Sequence, residues 1–154
     1  MSLKVTRMDV WSGEIRDQPG GLAGVLQQLG SMGANLEMVV ARRQPERPGS
    51  GIVFLAPVKG RKATAAAAVA GLGPTAGVAA LRVEGTDRPG LGAKITGAIA
   101  DARINLRGLS AAVVGGKFAA HLAFDSREDA EKAAKAIRAA GAEKTAAKKK
   151  RKRE

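Results

Sequence analysis

The stretch DQPGGLAGVLQQLGSMGANL, residues 17–36, decides the fold, because the chain repeats it as DRPGLGAKITGAIADARINL at residues 87–106. Asp17 and Asp87, Pro19 and Pro89, Gly20 and Gly90, Ala23 and Ala93, Asn35 and Asn105, and Leu36 and Leu106 each stand 70 residues apart, with no gap between them. Agreement at both ends of such a window in a single register marks a duplicated module of about 70 residues.

The same order of elements surrounds each copy. Met8 to Arg16 is partly β-branched, ends at a turn signal and reads as a strand. Leu22, Val25, Leu26, Leu29 and Met32 recur at helical spacing, and Gly33 supplies the stop. Leu36, Met38 and Val40 alternate with Glu37, Val39 and Ala41, as in a half-buried strand. A polar loop from Pro45 to Ser50 leads to an apolar strand, Ile52 to Val58. Ala-rich Lys62 to Leu72 is helical and closes at Gly73-Pro74, and Val78 to Glu84 is a further strand. In the second copy Leu91, Ile95, Ala98, Ile99 and Ala102 line one helix face. Gly115-Gly116 joins strands Leu106–Val114 and Lys117–Phe124 as a hairpin. Ser126 caps a last helix with a buried stripe of Ala130, Ala133, Ala134 and Ile137, ending at Gly141.

The pattern is β-α-β-β-α-β twice, but no fourth strand follows the last helix. Val78–Glu84 ends the first module and runs directly into Asp87, so one strand serves both. By the same relation, the first half of Lys4–Arg16 completes the second module while its second half begins the first. The expected architecture is α+β: two modules side by side, sharing a continuous antiparallel sheet with two long central strands and helices on one face. The modules span residues 3–77 and 78–141, and residues 142–154 form a basic tail.

Composition narrows the function classes. The chain has 154 residues, 45% of them hydrophobic but only 3% aromatic, so its core is built from short side chains in several layers. No apolar run approaches the roughly 20 residues of a membrane span, and no secretory signal is expected from the N-terminal residues. Cys is absent, which excludes disulfides and thiolate metal sites. A cytoplasmic protein without cofactors is expected. Half of the net charge of +12 lies in residues 144–154, where Lys144, Lys148, Lys149, Lys150, Arg151, Lys152 and Arg153 face Glu154 alone. Mutual repulsion predicts a disordered, solvated tail. Lys148, Lys149, Lys150, Arg151, Lys152 and Arg153 would attract nucleic acid without sequence preference.

Each copy places Asp-x-Pro-Gly between a strand and a helix. Pro suits a first helical turn, Gly allows close backbone approach, and the free amide groups and positive end of the helix favour a carboxylate. Asn35 and Asn105, at the far end of that helix, offer donors and an acceptor suited to a zwitterion. Each piece is equally a structural device: a cap, a turn, a left-handed residue.

With the helix between them, Asp17–Leu22 and Gly33-Ala-Asn-Leu36 resemble the ACT domain signature, and Asp87–Leu91 with Arg103–Leu106 resembles its second copy. The resemblance covers about residues 3–140. It implies a ferredoxin-like fold whose modules pair side by side and bind amino acids at the shared interface. It implies ligand contacts at Asp17, Asp87, Asn35 and Asn105, with pocket walls at Gly20, Gly21, Leu22, Gly90, Leu91 and Gly92. The motif also carries Pro19, Leu36, Pro89 and Leu106. The chain departs from the family in two respects. Ile15 and Gly85 stand where some amino-acid-binding members carry His, and Gly92 replaces the Leu matched by Leu22. Two unequal pockets or a single functional one are therefore both open, as are a self-sufficient chain and a homodimer.

Catalytic chemistry is not indicated. His121, the only histidine, lies on the same strand as Phe118 and Phe124 but on its opposite face, without partners for acid–base work. Asp125, Glu128, Asp129 and Glu131 gather at a helix start, where they offset the dipole. Gly85-Thr-Asp-Arg-Pro-Gly90 lacks the lysine of a phosphate loop. The expected function is a non-catalytic regulatory protein that binds an amino acid or similar zwitterion. The alternatives are an interaction scaffold with empty pockets and a nucleic-acid-associated protein using the tail.

Overall fold

A computed structural model of the chain describes residues 2–151, with the side chains of residues 2–142. The elements run β1 (Lys4–Met8), β2 (Trp11–Arg16), α1 (Gly21–Ser31), β3 (Met38–Arg43), β4 (Ser50–Ala56), α2 (Arg61–Val69), β5 (Gly73–Pro74), β6 (Ala79–Thr86), α3 (Leu91–Asp101), β7 (Gly108–Val114), β8 (Lys117–Phe124) and α4 (Arg127–Arg151). They divide into two compact units, Asp9–Ala76, and Met1–Met8 with Gly77–Glu154. The N-terminal strand therefore belongs to the second unit, which is discontinuous in sequence rather than running from residue 78 to 141, and the first unit begins at Asp9 rather than at residue 3.

In the first unit the sheet order is β3-β4-β2-β5, antiparallel throughout. Leu29 of α1, Val53 and Leu55 of β4, and Ala63, Ala66 and Ala67 of α2 form its core, with Trp11, Leu22 and Leu26 packed against it. Alanines let α2 lie close to the sheet, and Gly13 serves the same economy. A Cβ there would stand 2.6 Å from both the Gly71 carbonyl and Leu72 Cδ2.

The second unit has the order β1-β6-β8-β7. Val5 pairs with Val83 and Leu81 with Leu122. Phe118, Ala120, Leu122 and Phe124 point together into a core closed by Ile95 and Ile99 of α3 and by Ala130, Ala133, Ala134 and Ile137 of α4. Strand alternation and helical periodicity thus predict the same buried face from both sides. The Ser126 hydroxyl accepts from the Asp129 amide at 3.0 Å and caps α4.

Three expectations need correction. The strands form two separate four-stranded sheets rather than one continuous sheet. The long N-terminal stretch breaks at Asp9-Val10, and each half pairs within its own unit. Val78–Glu84 does not close the first module. β6 lies wholly in the second sheet, and Gly73–Pro74 pairs with Trp11 and Ser12 instead. Pro74 has no amide hydrogen to extend that ladder, which keeps β5 short. Finally, Gly141 does not end α4, and the backbone described from Ala142 to Arg151 is helical rather than disordered. Ala, Lys and Arg are good helix formers, and cations suit a helix C-terminus. Gly141 answers a packing demand, since a Cβ there would meet Leu3 Cγ at 3.3 Å.

The copies also exchange bulk across one strand pair. Ile15 faces Gly51 in the first module and Gly85 faces Phe118 in the second, so the large side chain changes strands.

Candidate functional site

The duplicated Asp-x-Pro-Gly element folds as a tight turn ahead of each helix. The Gly21 amide donates to the Gln18 carbonyl at 3.0 Å, and Leu91 to Arg88 at 3.2 Å. Gly20 has φ 85° and ψ −9°, and Gly90 has φ 78° and ψ 5°. With Pro ahead of a left-handed Gly, these are type II turns. Pro19 and Pro89 therefore precede the helix instead of opening its first turn, and each Gly is required by its positive φ. Neither helix has a side-chain cap, and neither first turn holds an acid. The amides of Gly92 and Ala93 sit where no intrahelical carbonyl lies ahead of them, and Lys94 is the first to reach back, to Gly90 at 2.9 Å.

At the start of α3 there is a cavity of about 50 Å³, lined by Leu3, Arg88, Pro89, Gly90, Leu91, Lys94 and Gly141. That is room for a few water molecules or a carboxylate-sized group. Pro89, Gly90 and Leu91 of the motif are among the lining residues. Leu91 is buried, whereas Gly92 is exposed and not part of the lining. The apolar anchor of α3 is thus one residue earlier than Leu22 of α1. Four lining residues escape the sequence reading. Arg88 and Lys94 left a signal, two cations flanking a helix start that favours anions. Leu3 and Gly141 left none, because only the docking of β1 beside α4 brings them to α3.

The two copies differ at the acidic position. Asp17 and Asp87 hold equivalent backbone roles, their amides donating to Gly49 and Gly116 at 3.1 and 2.9 Å. Asp17 pairs with Arg43, Nε to Oδ2, at 2.6 Å. Asp87 is exposed and makes no ion pair among the described residues. Asn35 and Asn105 are exposed in the turns after the helices. Asn105 Oδ1 accepts from the Leu106 amide at 3.0 Å. An 11-residue helix is about 16 Å long, so neither module brings its own Asn and Asp together. Leu36 and Leu106 are half-buried against their cores.

Elsewhere, His121 is half-buried and cross-strand from Arg82 and Ser110. Burial and then the Arg82 charge hold its pKa below the ordinary value, against an opposing effect from Glu84. Among the described residues no group of three His, Asp or Glu is placed to hold a metal ion, and no helix is long and apolar enough to cross a membrane. The side chains of Lys148, Lys149, Lys150 and Arg151, and all of Lys152 and Arg153, lie outside the described residues.

Residues 79–142 match the family model of the ACT domain. A comparison with curated proteins gives no match. Among solved structures, the ligand-free regulatory subunit of aspartate kinase from Thermus thermophilus is similar with a TM-score of 0.64 and 21% identity, over 91% of this chain and 97% of that one. A protein from Bacteroides thetaiotaomicron, BT0572, is similar with a TM-score of 0.71 and 14% identity, over 85% and 88%. Aspartokinase III of E. coli, in complex with aspartate and ADP, gives a TM-score of 0.59 and 15% identity over 90% of this chain and 32% of the enzyme. At such identities the likeness is one of fold. The chain thus carries an ACT domain at residues 79–142, within a pair of modules of ferredoxin-like fold.

Proposed function

We propose that the chain is a non-catalytic regulatory protein that binds an amino acid or similar zwitterion, with its principal site at the turn before α3. The observation that carries this reading is the cavity between Arg88 and Lys94 at an uncapped helix start. Two cations and unspent amides suit a carboxylate, and the neighbouring Asp87 is available for an ammonium group. The first module offers less, because its Asp17 is already paired. Likeness to a regulatory subunit of aspartate kinase supports a role in regulation rather than chemistry. Pro19, Gly20, Gly21 and Leu22, at the equivalent turn of the first module, form a second and weaker site of the same kind in this proposal.

A thermal-shift series with the standard amino acids tests it. A ligand at a hundred times its dissociation constant stabilises the protein that binds it by about 2.7 kcal/mol. Arg88→Ala should abolish the shift while leaving the unliganded melting temperature unchanged. No shift with any amino acid would remove the reading.

A further inference from the structure

The cavity at the start of α3 is walled by residues of the second unit alone, so its shape depends on neither the first module nor a second copy of the chain. Its walls are of two kinds. Leu3 and Leu91 are each only 9% exposed, and Gly141 is buried against Leu3. Arg88 is exposed and Lys94 half-buried. Long cationic side chains lay their stems along apolar surface and keep their heads in water. The recess is therefore apolar at its floor and positive at its rim.

Gly141 keeps that floor open. It lies within α4, where glycine is less favourable than alanine by about 1 kcal/mol. Its backbone does not demand glycine, because it is not among the residues of positive φ. Gly71, 70 residues earlier, has φ 78° and follows the end of α2. At 141 the demand is for space. A Cβ there would stand 3.3 Å from both Cγ and the backbone nitrogen of Leu3, so a methyl group would wedge into the floor that the two residues share.

We infer that, given the amino-acid site proposed above, on which this rests, the recess takes the side chain of a small aliphatic amino acid, valine or one close to it in size. Arg88 and Lys94 hold the ligand's carboxylate at the rim, and Gly141 sets the length of side chain admitted. A cavity of about 50 Å³ holds about three to five non-hydrogen atoms at ~10–15 Å³ each, the size of an isopropyl or isobutyl group. A charged side chain pressed against Leu3 and Leu91 would lose its water and gain no partner, which turns away aspartate and lysine. An aromatic ring is too large.

Titration calorimetry of the full-length chain with valine, leucine, alanine, glycine, aspartate and lysine tests this. Valine should bind about tenfold more tightly than alanine, through its additional buried methyl groups, and aspartate and lysine should bind more weakly than alanine. Gly141→Ala should erase the advantage of valine over alanine. Leu3→Val, whose shorter side chain deepens the recess, should move the preference from valine to leucine. Lys94→Gln acts at the rim and should weaken valine and alanine by the same factor. An order of preference in G141A identical to that of the unmodified chain overturns the assignment, and if G141A fails to fold, an unchanged order in L3V does the same. Tightest binding of aspartate, lysine or glycine also overturns it, while leaving the amino-acid site itself in place. Absence of binding by every amino acid removes both.

Discussion

Arg43 Nε lies 2.6 Å from Asp17 Oδ2, and 70 residues further on the same two positions hold Val113 and Asp87. The equivalence is structural as well as sequential, since Arg43 pairs with Gly51 and Val113 with Phe118 at matching places in the two hairpins. Duplication has therefore kept the turn and changed what surrounds its carboxylate. An exposed ion pair adds little stability, so the larger effect is on which carboxylate is free to meet a ligand.

Asp87→Asn should weaken amino-acid binding about 10- to 100-fold, the worth of one charge-assisted hydrogen bond. Asp17→Asn should change it less than twofold. Titration calorimetry of both variants checks the asymmetry, and equal losses would place the site elsewhere.

Arg103 has φ 60° and occupies the position that Gly33 fills with φ 81° in the first copy. Both copies close the helix alike, the next amide reaching back to Leu29 at 3.1 Å or Ile99 at 3.2 Å. A side chain in this left-handed region is strained. Arg103→Gly should stabilise the protein by up to about 1 kcal/mol, and Gly33→Ala should cost about as much. Urea unfolding measures both.

Gly21→Ala should be more damaging than a helix-start alanine usually is. The added Cβ would run into the Arg16 carbonyl, a backbone atom that cannot step aside. A cost of about 2 kcal/mol is expected from such overpacking, readable as a lower urea midpoint with an unchanged slope.

His121 should make stability depend on pH. Its folded pKa lies below the ordinary 6.5 because burial and Arg82 disfavour the imidazolium. The unfolded chain therefore takes up the proton first as pH falls. Stability should be intact above about 6.5 and decline as pH drops toward the folded pKa, then level off. Melting temperatures from pH 7.5 to 5 should fall less steeply for His121→Gln. Parallel curves would show that the residue does not titrate in this way.

Leu3→Ala should loosen the second module and spare the first. Leu3 packs into the core of the second unit alone, and removal of a buried leucine side chain costs about 2–4 kcal/mol. Hydrogen exchange should quicken in β6 and β8 while β2 and β4 keep their protection.

Much of this was legible in the residues. The matched Asp, Pro, Gly, Asn and Leu positions located both helices, and alternation at Phe118, Ala120, Leu122 and Phe124 named a buried face that the structure confirms. The fate of Lys4–Arg16 was half legible. The repeat implied that its first half serves the second module, but not that the strand breaks at Asp9-Val10 and leaves two sheets. The short β5 was hidden because Gly73-Pro74 reads as a helix stop, which it also is. In the site, Pro and Gly were visible but misplaced by one turn, since a type II turn and a helix start use the same residues. The cavity itself joins Leu91 of α3 to Leu3, 88 positions before it, and to Gly141, 50 positions after it, and no local pattern carries such a relation.

The division of the second module has a consequence for synthesis. Residues 9–76 emerge with all their strands together and are free to fold while the rest is being made. β1, by contrast, leaves the ribosome long before β6, the only strand it pairs with. Until Val83 appears, Val5 has an exposed apolar side chain and no ladder, and it is in that interval that the growing chain depends on the charges of Lys4 and Arg7 to keep its first strand from the wrong neighbour.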